Sequence, residues 1–151
     1  MLFLVFQLGG HRYALDVRDV IEILPLVGIT PIPQAPAGVA GIFDCRGVPT
    51  PVVDLSALAL GRPAEHRLST RIILVRQADA DGRPRALGLV AEKTTSTIRR
   101  AAEDFVDAGV TSPGAPYLGP VAADARGLVQ RIEVERLLPA SVRDVLFQPS
   151  L

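Results

Sequence analysis

The chain has 151 residues, 48% of them hydrophobic, with 16 basic and 16 acidic side chains and no formal net charge. That apolar content excludes a disordered chain, and the charge balance leaves no electrostatic footprint for nucleic acid or an anionic membrane. The length suits one compact domain, or two small lobes sharing a chain, with roughly two thirds of the unfolded surface buried.

The single cysteine, Cys45, cannot close an internal disulfide or build a zinc site alone, so the chain reads as a cytoplasmic protein of a reducing compartment. Residues 1–6 are apolar but lack a positive leader and fall far short of the ~20 residues that span a bilayer. They read as a strand, and no direct membrane insertion is expected.

Residues 2–8 form a strand-length apolar run, and Gly9-Gly10 supply a hairpin turn into a second strand over 12–17. The period then changes. Val17, Val20, Ile21 and Leu24 fall at i, i+3, i+4 and i+7, which predicts a helix over 17–24 with Asp16 as cap, Ile21 buried, and Arg18, Asp19 and Glu22 outward. Residues 25–36 are too proline-rich for a central strand, so Ile29 and Ile32 are expected to reach the core from an edge or extended loop.

Residues 39–55, VAGIFDCRGVPTPVVDL, predict the central hairpin, with Arg46 carried at or just before its tip and Gly47 supplying positive φ. Pro49 and Pro51 place its second strand at a sheet edge or beside a bulge. Asp54 opens a short helical turn over 55–60. Residues 61–69 are polar, contain glycine and proline, and make the best linker between two lobes. Further strands are predicted at 71–76, 85–91, 94–98 and 128–132, with a loop over 101–120, a short helix over 133–138 and a C-terminal helix about 141–147 capped by Ser141. On that last helix Val142, Val145 and Leu146 share one face, and Pro149 follows its end. So many short strands, with few helices for crossovers, point to a mainly β protein built as two small barrels.

Catalytic constellations are missing from the sequence. His11 and His66 sit in turn-like segments, and no phosphate loop, dinucleotide fingerprint, nucleophile elbow or zinc-protease motif occurs. No enzymatic activity, metal or cofactor is expected. Asp16, Asp44 and Asp54 are explained as caps and turn residues. Cys45 reads as a small buried hydrophobe in preference to a reactive thiol, and Arg46 either pairs with Asp44 or Glu22 or is presented to a partner, with Gly41 and Gly47 thinning the side chains beside it.

The order of these motifs resembles the CheW family, the adaptors of bacterial chemosensory arrays. FLVFQLGGHRYALDVRDVIEIL, residues 3–24, resembles the family's opening, and the Gly, Arg-Gly and Pro-Val-Val-Asp-Leu of residues 39–55 resemble its central signature. The likeness runs from about residue 2 to residue 138. It differs at Asp44-Cys45, where the family usually has Asn-Leu, and at Ala91-Glu92, where it usually has Val-Asp.

The resemblance implies a single CheW-like domain over 1–151, made of two intertwined five-stranded SH3-like barrels. It also implies a non-catalytic adaptor between the helical hairpin tip of a chemoreceptor and the regulatory domain of a CheA-type histidine kinase, in a flagellar or alternative pathway. Such a protein is a monomer alone and is assembled into receptor-bound arrays; the longer adaptors that carry a receiver domain are not expected here. The partner-binding residues implied are Arg46, Gly47, Gly41, Val20, Glu22 and Asp44. The competing readings are a small-molecule-binding or nucleic-acid-binding β-barrel, for which the sequence offers no cluster of converging polar groups and few aromatics.

Overall fold

The computed structural model describes residues 1–110 and 112–147. Nine strands carry the fold: β1 (Leu2–Leu8), β2 (His11–Asp16), β3 (Val20–Pro25), β4 (Val39–Cys45), β5 (Val48–Asp54), β6 (Arg71–Ala78), β7 (Pro84–Arg99), β8 (Leu118–Asp124) and β9 (Gly127–Ile132). Two short α-helices, α1 (Leu55–Leu60) and α2 (Ala140–Leu146), complete it, with three single 3₁₀ turns.

β7 organises both halves. Its first part, residues 84–91, pairs with β6 and runs parallel to β5, and its second part, residues 92–99, pairs with β1. One five-stranded set is therefore β4-β5-β7-β6-β3, and the other is β7-β1-β2-β9-β8. These are two small barrels of the SH3-like kind, intertwined through one shared strand. The exchange happens at Lys93, whose φ of +48° breaks the extended path, opposite a register shift between Val5 and Gln7 of β1. Residues 85–91 and 94–98, expected as separate strands, are thus two parts of one.

The apolar runs have no polar alternation because both of their faces are buried. On β6, Ile72 and Leu74 pack inside the first barrel with Phe43 and Val52, while Ile73 and Val75 point the other way into a core shared by both barrels. β1 repeats the device: Leu4, Phe6 and Leu8 enter the shared core, and Phe3 enters the second barrel against Phe105 and Val129. Each such side chain, fully buried, contributes roughly 1.5–3 kcal/mol of transfer free energy.

Several expectations are corrected. Residues 17–24 are not a helix: Asp16 accepts the Arg18 N–H at 2.9 Å and caps a single 3₁₀ turn, Val17–Asp19, after which the chain becomes β3. β3 pairs with β6, so the β-branched residues find a ladder that a lone amphipathic turn lacks. Period 2 then puts Val20, Glu22 and Leu24 on the sheltered face and leaves Ile21 and Ile23 44% and 45% exposed. Ile21 is a surface residue.

Residues 118–120, expected within a loop, begin β8, which pairs with β9 and, through Val121, with Val106. Residues 61–69, expected to link two lobes, run instead from α1 to β6 within one barrel. They are pinned there by the Ala64 N–H on Asp54 Oδ2 (2.9 Å), the Glu65 N–H on Glu92 Oε1 (3.0 Å) and the Thr94 N–H on the Ser69 carbonyl (3.0 Å). At the C-terminus, α2 takes Pro139 as its N-cap with no side-chain cap bond, so Ser141 lies inside the first turn. Val142 and Leu146 pack on the shared core as expected, Val145 is 55% exposed, and Phe147 is buried in its place. Pro149 lies outside the described residues.

Candidate functional site

The β4–β5 hairpin closes in two residues. Cys45 pairs with Val48, and between them Arg46 and Gly47 take φ of +51° and +85°, the pattern of a type I′ turn whose twist matches the flanking strands. Gly47 adopts this freely; an arginine at positive φ is strained. Asp44 Oδ1 accepts the Gly47 N–H at 2.6 Å, which stabilises the turn and accounts for Asp44.

The arginine that this turn presents lies against β3. Arg46 Nη1 donates to Glu22 Oε2 at 2.7 Å and Nη2 to Glu22 Oε1 at 2.5 Å, a bidentate fork. The hydrogen bonds from Arg46 hold the Glu22 carboxyl below its ordinary pKa, and the same contact raises that of the guanidinium. Of the two partners that the sequence left open for Arg46, the fold selects Glu22. Among the described residues no ladder joins β3 to β4, so this pair is the polar tie between the edge strand and the hairpin tip.

The outer face of the hairpin beside this turn is mainly apolar. Ile42 faces Pro51, and Asp44 faces Pro49, so the outer face of the hairpin shows isoleucine and prolines, with Val48 61% exposed beside the turn. At Pro49 and Pro51 β5 has β4 as its only strand neighbour among the described residues, because pairing with β7 begins at Val52. Of the edge or bulge that the sequence left open for those prolines, the fold shows the edge. On β3, Ile23 walls a groove of about 490 Å³ at the seam of the barrels, together with Leu4 of β1, Arg71 of β6 and Thr94, Ser96 and Thr97 of β7. Arg46 does not line this groove, and Glu22 points to the face of β3 opposite to Ile23.

The remaining expected site residues fall in different places. Gly47 has no neighbour that an added Cβ would meet within 4 Å, so its outer side is open. Gly41 is the opposite: an added Cβ would sit 2.0 Å from the Thr30 carbonyl oxygen, because the segment after β3 crosses directly over it and exchanges two hydrogen bonds between Thr30 and Ile42. The space at Gly41 is filled by this chain. Val20 packs partly buried against the shared core. Cys45 is half-buried beside the core of the first barrel, and His11 and His66 are exposed. Ile21 and Ile23 were missed as surface residues; the alternation Ile21-Glu22-Ile23 was the signal for them.

Asp54, 7% exposed, spends its carboxylate on three backbone N–H groups, those of Ser56, Ala57 and Ala64, and fixes α1 and the segment after it. Among the described residues no group of three His, Cys, Asp or Glu side chains converges to hold a metal, and no helix is long and apolar enough to cross a membrane.

The protein is similar to the "Chemotaxis protein CheW" of Helicobacter pylori, at 32% identity over 98 residues that cover 64% of this chain and 56% of that one. It is similar to the protein of the same name from Klebsiella aerogenes at 25% identity, over 90% of this chain and 80% of that one. The match thus spans little more than half the length of the first relative. Its fold is that of a scaffolding protein from Thermoanaerobacter tengcongensis, TtCheW, with a TM-score of 0.80 at 24% identity, over 93% of this chain and 89% of that one. A family model described as the CheW-like domain matches residues 2–142, from β1 into α2, and the chain belongs to that family.

Proposed function

We propose that the protein is a non-catalytic cytoplasmic adaptor of a chemosensory array, which couples the helical hairpin tip of a chemoreceptor to the regulatory domain of a CheA-type histidine kinase. The pathway is flagellar or an alternative one that uses the same receptor class. The observation that carries this reading is the Arg46–Glu22 fork, a charged clamp that ties an edge strand to a hairpin tip beside the exposed Val48. An arginine on a rigid two-residue turn can cap a helix's carbonyls or pair with its acids.

Within this reading Arg46 and Gly47 form the presenting turn, Glu22 aims the guanidinium, and Val48, exposed beside the turn, supplies apolar contact. Asp44, Val20 and Gly41 act from beneath, through the turn bond, the core and the strand crossing. Affinity is concentrated at the arginine, since arginine is enriched among interface residues whose truncation is most costly. Titrating the protein with a receptor-tip fragment tests it: Arg46→Ala weakens binding by roughly 30-fold or more while the thermal melt stays close to wild type. Unchanged receptor affinity in that variant would overturn the assignment.

A further inference from the structure

A second site lies away from the hairpin. Where β7 passes from one barrel to the other, two adjoining cavities of about 340 and 460 Å³ share Gln7, Ser69 and Lys93 as common walls. The first is completed by Ser56, Arg62 and the Gly9-Gly10 turn, the second by Arg12, Ser96 and Arg126. None of these residues touches Arg46 or Glu22, and Ser96 alone is shared with the Ile23 groove.

Three observations single this cleft out. Its lining holds five cations against two carboxylates, Glu65 and Glu92, in a chain of no net charge. Both acids are engaged: Glu65 pairs with Arg67, and Glu92 accepts the Glu65 N–H. Arg12 is likewise engaged by Asp124. Arg62, Lys93 and Arg126, in contrast, have no side-chain hydrogen bond or ion pair among the described residues. Second, Ser56 is 2% exposed, and its buried Oγ has no hydrogen-bond partner among the described residues, which is costly unless a ligand or water satisfies it. Third, Lys93 is the only lysine beside fifteen arginines and is held at φ +48°, a conformation that a non-glycine residue keeps only where its surroundings enforce it.

The geometry points to a binding site for a small molecule bearing two phosphate groups. Each cavity offers an unpaired cation and a serine of its own, Arg62 with Ser56 and Arg126 with Ser96, and both draw on Lys93 and Ser69 at their junction. Guanidinium, ammonium and hydroxyl donors in that number match the acceptor oxygens of phosphoryl groups, whereas a carboxylate would leave many of them unused. The volumes fall in the range of small-ligand sites.

The test is calorimetric titration of the whole protein with inorganic pyrophosphate, inorganic phosphate and succinate at one fixed ionic strength, so that general screening is constant. Saturable pyrophosphate binding is expected, tighter than that of phosphate, with none for succinate. Lys93→Asn, chosen because asparagine tolerates positive φ, and Arg126→Gln on the exposed side each weaken pyrophosphate by about ten-fold or more. Arg83→Gln, outside the cleft, leaves it unchanged. Absence of saturable binding, equal affinity for phosphate and pyrophosphate, binding of succinate, or indifference to both Lys93→Asn and Arg126→Gln in folded variants would overturn the site.

Discussion

Arg46 and Glu22, 24 residues apart in sequence, meet as a two-bond ion pair that ties the tip of the β4–β5 hairpin to β3. Both side chains are accessible to water, so the pair contributes little to global stability and its value lies in orientation. Arg46→Lys is therefore expected to keep the fold and recover only part of receptor-tip affinity, because an ammonium cannot reproduce the planar fork. Glu22→Gln, which retains the shape and removes the charge, should weaken binding less than Arg46→Ala. Comparing dissociation constants and melts of the three variants checks the order; full affinity in Arg46→Lys would show that charge alone suffices.

The two isoleucine environments predict opposite stabilities. Ile73 is fully buried in the shared core, so Ile73→Ala should cost ~2–5 kcal/mol in denaturant unfolding. Ile21, on the exposed face of β3, should cost under about 1 kcal/mol when replaced by alanine. Equal losses would mean that β3 is turned the other way.

Gly41 and Gly47 separate crowding from backbone strain. An alanine at Gly41 would press its Cβ to 2.0 Å from the Thr30 carbonyl oxygen and force the strand crossing apart, at about 3 kcal/mol or more. At Gly47 the space is open, and alanine should cost only the ~1–2 kcal/mol of a left-handed residue. Urea melts of the two variants report the difference directly.

Asp124 sets an acid limit. The Arg12 side chain, with the Arg126 N–H, lowers its pKa from 3.8 to about 2. A carboxylate depressed on folding gives stability that is fully present above its unfolded pKa and disappears as pH falls through the folded one. The stability gap between wild type and Asp124→Asn should accordingly be constant above about pH 4 and close between about pH 4 and pH 2. A gap that persists at pH 2 would remove the ion pair from the explanation.

Much of the local structure was written in the sequence, because short-range chemistry decides it. Gly9-Gly10 between apolar runs makes the first hairpin, Arg46-Gly47 makes the second, and Asp54 followed by Leu55–Leu60 makes α1, closed by Gly61 at φ +74°. The order of those motifs also carried the family. What the sequence left open was decided by long-range pairing. Val17, Val20, Ile21 and Leu24 satisfy a helical period, but β6 offers a ladder to β3, and only that partner turns Ile21 outward. Residues 84–99 hold no signal that one strand serves two barrels; the switch exists because β1 and β6 compete for different parts of it. Gly41 looked like an opening for a partner and is instead where the chain crosses itself. Arg46 could be read as pairing with either of two acids, and the turn at Gly47 commits Asp44 to the backbone, which leaves Glu22 on the neighbouring edge strand to take the arginine.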